Sequence, residues 1–194
     1  MNTITAPTCE SAELPLPRRL MRHLIVSHGV DIGSRMLVTG DFEEPLAEFL
    51  NYLHIQTDID RSGFAANAKE GVYDAVLVLR SGPVIRGDAA GGLRTAELLS
   101  QLKPGGCLTI VQHAEVGRGT AEDLADDFHM FPGTCRTSEF RDRRALWGGF
   151  AMGSRSVHGY CVATLHIPAE PMTASTWRAH ALRHATPGRS AAAA

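Results

Sequence analysis

Cysteine is scarce in this chain: four in 194 residues. Cys9, Cys107, Cys135 and Cys161 include no C-x-x-C pair, which excludes the usual zinc and dithiol motifs. Two of them fall inside runs that predict strands, and all read as small core residues in a reducing compartment. His129, His158 and His166 share neither H-x-H nor helix-face spacing, so no metal is expected. Excess charge is missing too. A net charge of −2 and a pI near 6.5 give no long-range attraction to phosphate backbones, and apart from Arg141, Arg143 and Arg144 the arginines are dispersed. No nucleic-acid partner is expected. Apolar runs such as Tyr73–Leu79 fall far short of the roughly 20 residues of a membrane span. Met1–Pro17 carries Glu10 and Glu13 where a signal peptide needs a basic start and an apolar block. The expectation is a soluble, cytoplasmic protein without a membrane partner. There is no internal repeat, heptad or low-complexity array.

What is present is enough apolar residue, 44% of the chain, for one sizeable core. The composition predicts a flexible arm over 1–15, a single domain over 16–186 and a disordered tail over 187–194. The most informative stretch is 73–111. Tyr73–Leu79 is short, apolar and rich in Val and Leu, the pattern of a strand buried on both faces. Leu98, Leu99 and Leu102 then share one helical face, with Thr95 in the N-cap region. Lys103-Pro104-Gly105-Gly106 stops that helix and turns into the apolar run Cys107–Val111. The product is a right-handed strand, helix, strand unit.

That unit resembles class I S-adenosylmethionine-dependent methyltransferases. Their fourth strand starts in an "(F/Y)D-apolar" phrase, here Tyr73-Asp74, and an "LKPGG" turn, here Leu102–Gly106, leads into the fifth. The resemblance covers about residues 16–167. It implies an α/β, Rossmann-like sheet, mostly parallel, closed by a C-terminal antiparallel hairpin.

The resemblance also implies sites. Arg35–Gly40 reads as the first strand, and ligands in open α/β sheets lie beyond carboxyl strand ends. The family writes the next turn E/D-x-G-x-G-x-G. This chain has Val38-Thr39-Gly40-Asp41-Phe42-Glu43-Glu44, so Gly40 and Asp41 are the implied cofactor loop, with one glycine aligned. Glu43 and Glu44 either face the ligand's charged groups or complement a helix dipole. His54–Asp60 reads as the second strand. Asp58 aligns best with the acid that accepts the ribose hydroxyls, and Asp60 takes its place if the register slips by one strand repeat; a plain turn role is the alternative. Between Arg61 and Val72 no strand pattern is visible, so the third strand of the family is expected to be absent. Leu79 and Arg80, at the end of the next strand, complete the cofactor-binding set. The loop Arg80–Gly92 falls where the family places substrate and has no (D/N)-P-P-(Y/F), which argues against methylation of a base nitrogen. His113 ends the fifth strand and is the general-base candidate for a hydroxyl or thiol acceptor, or else a hydrogen-bonded strand-end residue. A helix starting at Pro17, an acidic helix over 120–128, closing strands over 133–140 and 157–167, and a last helix capped by Thr173 complete the reading.

The implied activity is methyl transfer from S-adenosylmethionine to a small-molecule acceptor. In-line displacement is accelerated mainly by alignment and desolvation, so few catalytic side chains are required. The alternative is an inactive methyltransferase-like scaffold that meets a second copy or another protein through an exposed sheet edge. A nicotinamide oxidoreductase ranks third, because no G-x-G-x-x-G follows the first strand to hold a pyrophosphate.

Overall fold

The structure is a computed structural model and describes residues 16–27, 29–40, 43–60, 70–81, 89–115, 120–141 and 158–184. Six strands form one sheet: β1 (Arg35–Gly40), β2 (Gln56–Asp60), β3 (Tyr73–Ser81), β4 (Leu102–Glu115), β5 (Thr134–Arg141) and β6 (His158–His166). Their order is β2-β1-β3-β4-β6-β5. The first four run parallel, β6 is antiparallel to β4, and β5 is antiparallel to β6. This is the expected mostly parallel sheet closed by a C-terminal antiparallel hairpin, which lies beside Leu102–Glu115. The expectation of a missing third strand concerns residues 61–72, of which 61–69 lie outside the described residues and 70–72 form a turn leading into β3. Among the described residues β2 forms one edge of the sheet and β5 the other.

Strand periodicity divides the core into two layers. Val76, Val78, Leu108 and Ile110 face Leu98 and Leu99 of α3 (Ala89–Ser100), Leu124 of α4 (Ala121–Ala125) and Trp177 of α5 (Ala174–His184). Ala75, Leu77, Leu79 and Val111 face Leu20 and Leu24 of α1 (Arg18–Ser27) and Leu46 and Leu50 of α2 (Glu43–Tyr52). Both faces of the central strands are covered, which explains why Tyr73–Leu79 is nearly continuous in apolar residues. No helix among the described residues is long and apolar enough to cross a membrane.

Two boundaries differ from expectation. α3 begins at Ala89, so Thr95 is a buried interior residue and not a cap. Gly91 and Gly92 read as loop in the sequence but lie in α3, and a Cβ on Gly92 would sit only 3.3 Å from Met130 Sδ and near Ala181 of α5, so glycine is what lets these elements pack this closely. Close helix packing outweighs the low helix propensity of glycine. Lys103–Gly106 also belongs to β4 and is not a turn before it. The pairing steps from Tyr73↔Leu102 to Ala75↔Cys107, so these four residues are extruded as an irregularity in the strand. Gly105, at φ 78°, donates its N–H to Pro168 O, and Gly106 O accepts from Ile167 N–H.

The two phrases that carried the resemblance meet each other here. Lys103 Nζ lies 2.7 and 2.9 Å from the Asp74 carboxylate oxygens, and the Arg35 N–H donates to Asp74 Oδ2 at 2.8 Å. Asp74 therefore ties together the amino ends of β1, β3 and β4. Burial alone would raise its carboxyl; the Arg35 N–H and the Lys103 ammonium outweigh burial and hold it below its ordinary 3.8. A carboxyl depressed in the folded state contributes stability that is complete above its unfolded value and is lost as pH falls through the lower folded one. Asp74→Asn should lower stability by about 1–2 kcal/mol at neutral pH, the pair being partly exposed. Urea unfolding of both proteins from pH 7 to pH 3 should show the difference shrinking in acid.

The cysteines split. Cys107 and Cys161 are core residues, and burial pushes the Cys107 thiol up to about 12. Cys135 is exposed on edge strand β5, unlike the core role expected for it.

Candidate functional site

Parallel register carries several sequence-predicted residues to one end of the sheet. Thr39 pairs with Asp60, Gly40 with Leu79, Leu79 with Val111, Ser81 with His113, and His113 with Tyr160. Asp60, Gly40, Leu79, Arg80 and His113 thus stand at successive carboxyl strand ends of β2, β1, β3 and β4. Asp41 and residues 82–88 of the loop expected to meet substrate lie outside the described residues, and the side chains of Glu43 and Glu44, which open α2, are not described either.

Gly40 adopts φ 118°, and a Cβ built on it would lie 1.8 Å from Leu79 O. The neighbouring strand therefore demands glycine here before any ligand does. Thr39, 1% exposed, donates its hydroxyl to Asp60 O at 3.2 Å and fixes the end of β2.

Asp58 sits one strand repeat short of that end, opposite Leu37. Its Oδ2 accepts from Arg35 Nε at 3.0 Å, Arg35 Nη2 at 2.7 Å and Tyr73 Oη at 2.9 Å. The Arg35 guanidinium also lies 5.4 Å from the Tyr73 ring centroid. The Tyr73 side chain crosses β1 to reach β2. Burial, then the hydrogen bond to Asp58, pushes its phenol up to about 12. The Asp58 carboxylate is thus engaged in binding three strands together, while Asp60 occupies the strand end.

Arg80 follows Leu79, on the sheet face of Val76 and Val78. Its Nη1 donates to Asp127 Oδ2 at 3.4 Å; the side chains are 35% and 11% exposed. Asp127 belongs to a 3-10 turn, Asp126–Phe128, directly after α4. Thr120 caps α4 through a capping box with Asp123, which sets where the turn falls. His113 is on the opposite face, with its ring 4.7 Å from that of Tyr160. On the same face the His23 ring of α1 lies 5.1 Å from Phe140, and burial lowers the His23 pKa. Asp127, Tyr160 and His23 had no sequence signal as site residues: an Asp-Asp pair does not tell which carboxylate is buried, and ring neighbours on separate strands are visible only through register.

A cavity of about 250 Å³ opens at the other end of the sheet, between Glu70, Leu102, Pro104, Met172 and Trp177. It is remote from the carboxyl ends. Among the described residues no group of three His, Cys, Asp or Glu side chains is placed to hold a metal.

A parallel β2-β1-β3-β4 core, crossovers on both faces and an antiparallel β6-β5 closure reproduce the expected family order. The fold is that of class I methyltransferases. No protein-family model matches the chain, and no curated protein matches it. Solved structures similar to this methyltransferase fold include an S-adenosylmethionine-dependent O-methyltransferase from Thermotoga maritima, at 12% identity, covering 81% of this chain and 68% of that one with a TM-score of 0.46. The cyclase SpnF is similar at 14% identity, over 78% and 82% of the two chains, with a TM-score of 0.49. An rRNA methylase from Streptococcus thermophilus is similar at 13% identity, over 78% and 98%, with a TM-score of 0.45.

Proposed function

We propose that the chain binds S-adenosylmethionine across the carboxyl ends of β2, β1 and β3 and is a methyltransferase acting on a small molecule. The observation that supports this most is that Asp60, Gly40 and Arg80 stand at that one edge in strand order, with His113 at the same end on the other face of the sheet. Their chemistry fits the group. A carboxylate accepts hydrogen bonds from hydroxyls, as a ribose diol requires, and a guanidinium offers a planar set of donors to an anionic end. When bound, the cofactor supplies an electrophilic methyl group.

In this reading Asp60 takes the ribose role, in place of Asp58, whose carboxylate Arg35 and Tyr73 already use. Leu79 closes the edge beside Gly40 with buried apolar surface, and Arg80 holds the far end. His113 accepts the proton of an acceptor hydroxyl or thiol, with the tilted Tyr160 ring packed against it to limit its motion. The near-neutral charge of the chain supports a small-molecule acceptor over a nucleic acid. The scaffold reading is favoured by one feature, the exposed edge strand β5.

The test is incubation of the purified chain with methyl-labelled S-adenosylmethionine and pooled small phenols, alcohols and thiols. Label in a small-molecule product is the expected result. Label transferred only to added RNA contradicts the acceptor class, and no transfer by a protein that binds no cofactor favours the scaffold.

A further inference from the structure

Asp127 is a nearly buried carboxylate that the proposed function does not use. Removing a charge from water costs several kcal/mol unless a partner compensates it, and Asp127 has the Arg80 guanidinium within reach. The two residues are 47 positions apart, so only the fold brings them together. The contact is a single 3.4 Å approach by one nitrogen, Nη1. A guanidinium carries five N–H donors in a planar fork, suited to a carboxylate in two-point contact, so most of that fork is not spent on Asp127.

Position says what the fork meets. Val76, Val78 and Arg80 alternate onto one sheet face, and Asp60, level with Thr39 and Val78, lies on the same face. β1 alone separates β2 from β3, and Arg80 lies two residues beyond Val78, so the Cα atoms of Asp60 and Arg80 stand two strand spacings apart across the sheet and one side-chain repeat apart along it, roughly 11–12 Å, at the carboxyl edge. One end of this span accepts hydrogen bonds and the other donates them. A ligand with a diol at one end and a carboxylate at the other matches that polarity. We infer that Asp127 is a positioning residue that holds Arg80 to receive the amino-acid carboxylate of the cofactor. The inference rests on the cofactor reading above and assigns each end of the molecule to a strand: ribose to β2, amino acid to β3.

The test is calorimetric titration of the full chain with two ligands: S-adenosylhomocysteine, and 5′-methylthioadenosine, which keeps the nucleoside and lacks the amino-acid end. Arg80→Met should weaken adenosylhomocysteine roughly tenfold and leave methylthioadenosine within about twofold. Arg80→Lys should recover part of the loss. Asp127→Asn, which keeps volume and removes the charge, should weaken adenosylhomocysteine several-fold with the same selectivity; a merely structural role would weaken both ligands alike. If Asp127→Asn fails to fold, as judged by circular dichroism, the half-exposed Arg80 variants carry the test alone. Equal loss for both ligands, or no loss in Arg80→Met while the wild type binds, overturns this assignment and leaves the cofactor reading standing. No binding of either ligand by the wild type overturns both.

Discussion

Replacing Asp60 by Ala is expected to weaken adenosylhomocysteine binding about ten- to hundredfold, through loss of about 1.5–3 kcal/mol of charge-assisted hydrogen bonding. Asp60 ends β2 directly beside the end of β1, with its backbone pinned by the Thr39 hydroxyl, and in the proposed reading its carboxylate meets the diol of a ligand bound over Gly40. Asp60→Asn should lose less, since the amide keeps one acceptor and the packing is nearly unchanged. Asp58→Ala is the contrasting variant. It should leave ligand affinity within about twofold and cost about 1 kcal/mol of stability, chiefly because the half-buried Tyr73 hydroxyl loses its acceptor. Calorimetry and urea unfolding on the two variants separate these effects. If Asp58→Ala abolishes binding and Asp60→Ala does not, the ribose acid is assigned to the wrong strand position.

The largest stability effect is expected at Gly40. Gly40→Ala should destabilise the chain by about 3–4 kcal/mol with no ligand present. A φ of 118° lies where L residues are strained, and the added Cβ would fall 1.8 Å from Leu79 O and 2.7 Å from Leu79 C. Those atoms are backbone in the β1–β3 ladder, so relief requires separating the two central strands. Gly29→Ala is the control. Its φ of 59° carries the conformational cost, yet no atom lies within 4 Å of the added Cβ, and about 1 kcal/mol is expected. Urea midpoints for the two variants check both values; similar midpoints would show that the strand contact at Gly40 relaxes freely.

The sheet was legible because its signals are local. Val and Leu runs bounded by glycine, and helices ending at glycine or proline, depend on the nearest few residues, and β1 and β2 fall where those runs place them. The interior of α3 was not, because the glycine at 92 packs against Met130 and Ala181, 38 and 89 positions away. The site was legible only as a set of strand ends. Asp58 and Asp60 face the same side, so periodicity cannot choose between them; the choice needs the β1 register and the reach of Arg35 and Tyr73. The most recognisable phrases, Tyr73-Asp74 and Leu102–Gly106, prove to be a clamp at the amino end, opposite the proposed chemistry. They specify the fold. Asp127 was illegible for the same reason as Gly92: its partner is distant in sequence.

The central claim, a cofactor held at the carboxyl ends of β2, β1 and β3, is tested most directly by calorimetric titration of the full wild-type chain with S-adenosylmethionine and S-adenosylhomocysteine. Saturable binding of one ligand per chain, at micromolar to sub-millimolar concentration and weakened in Asp60→Ala, is the predicted result. No saturable heat from either ligand at millimolar concentration, with the chain folded by circular dichroism, would contradict it and leave the fold as a scaffold.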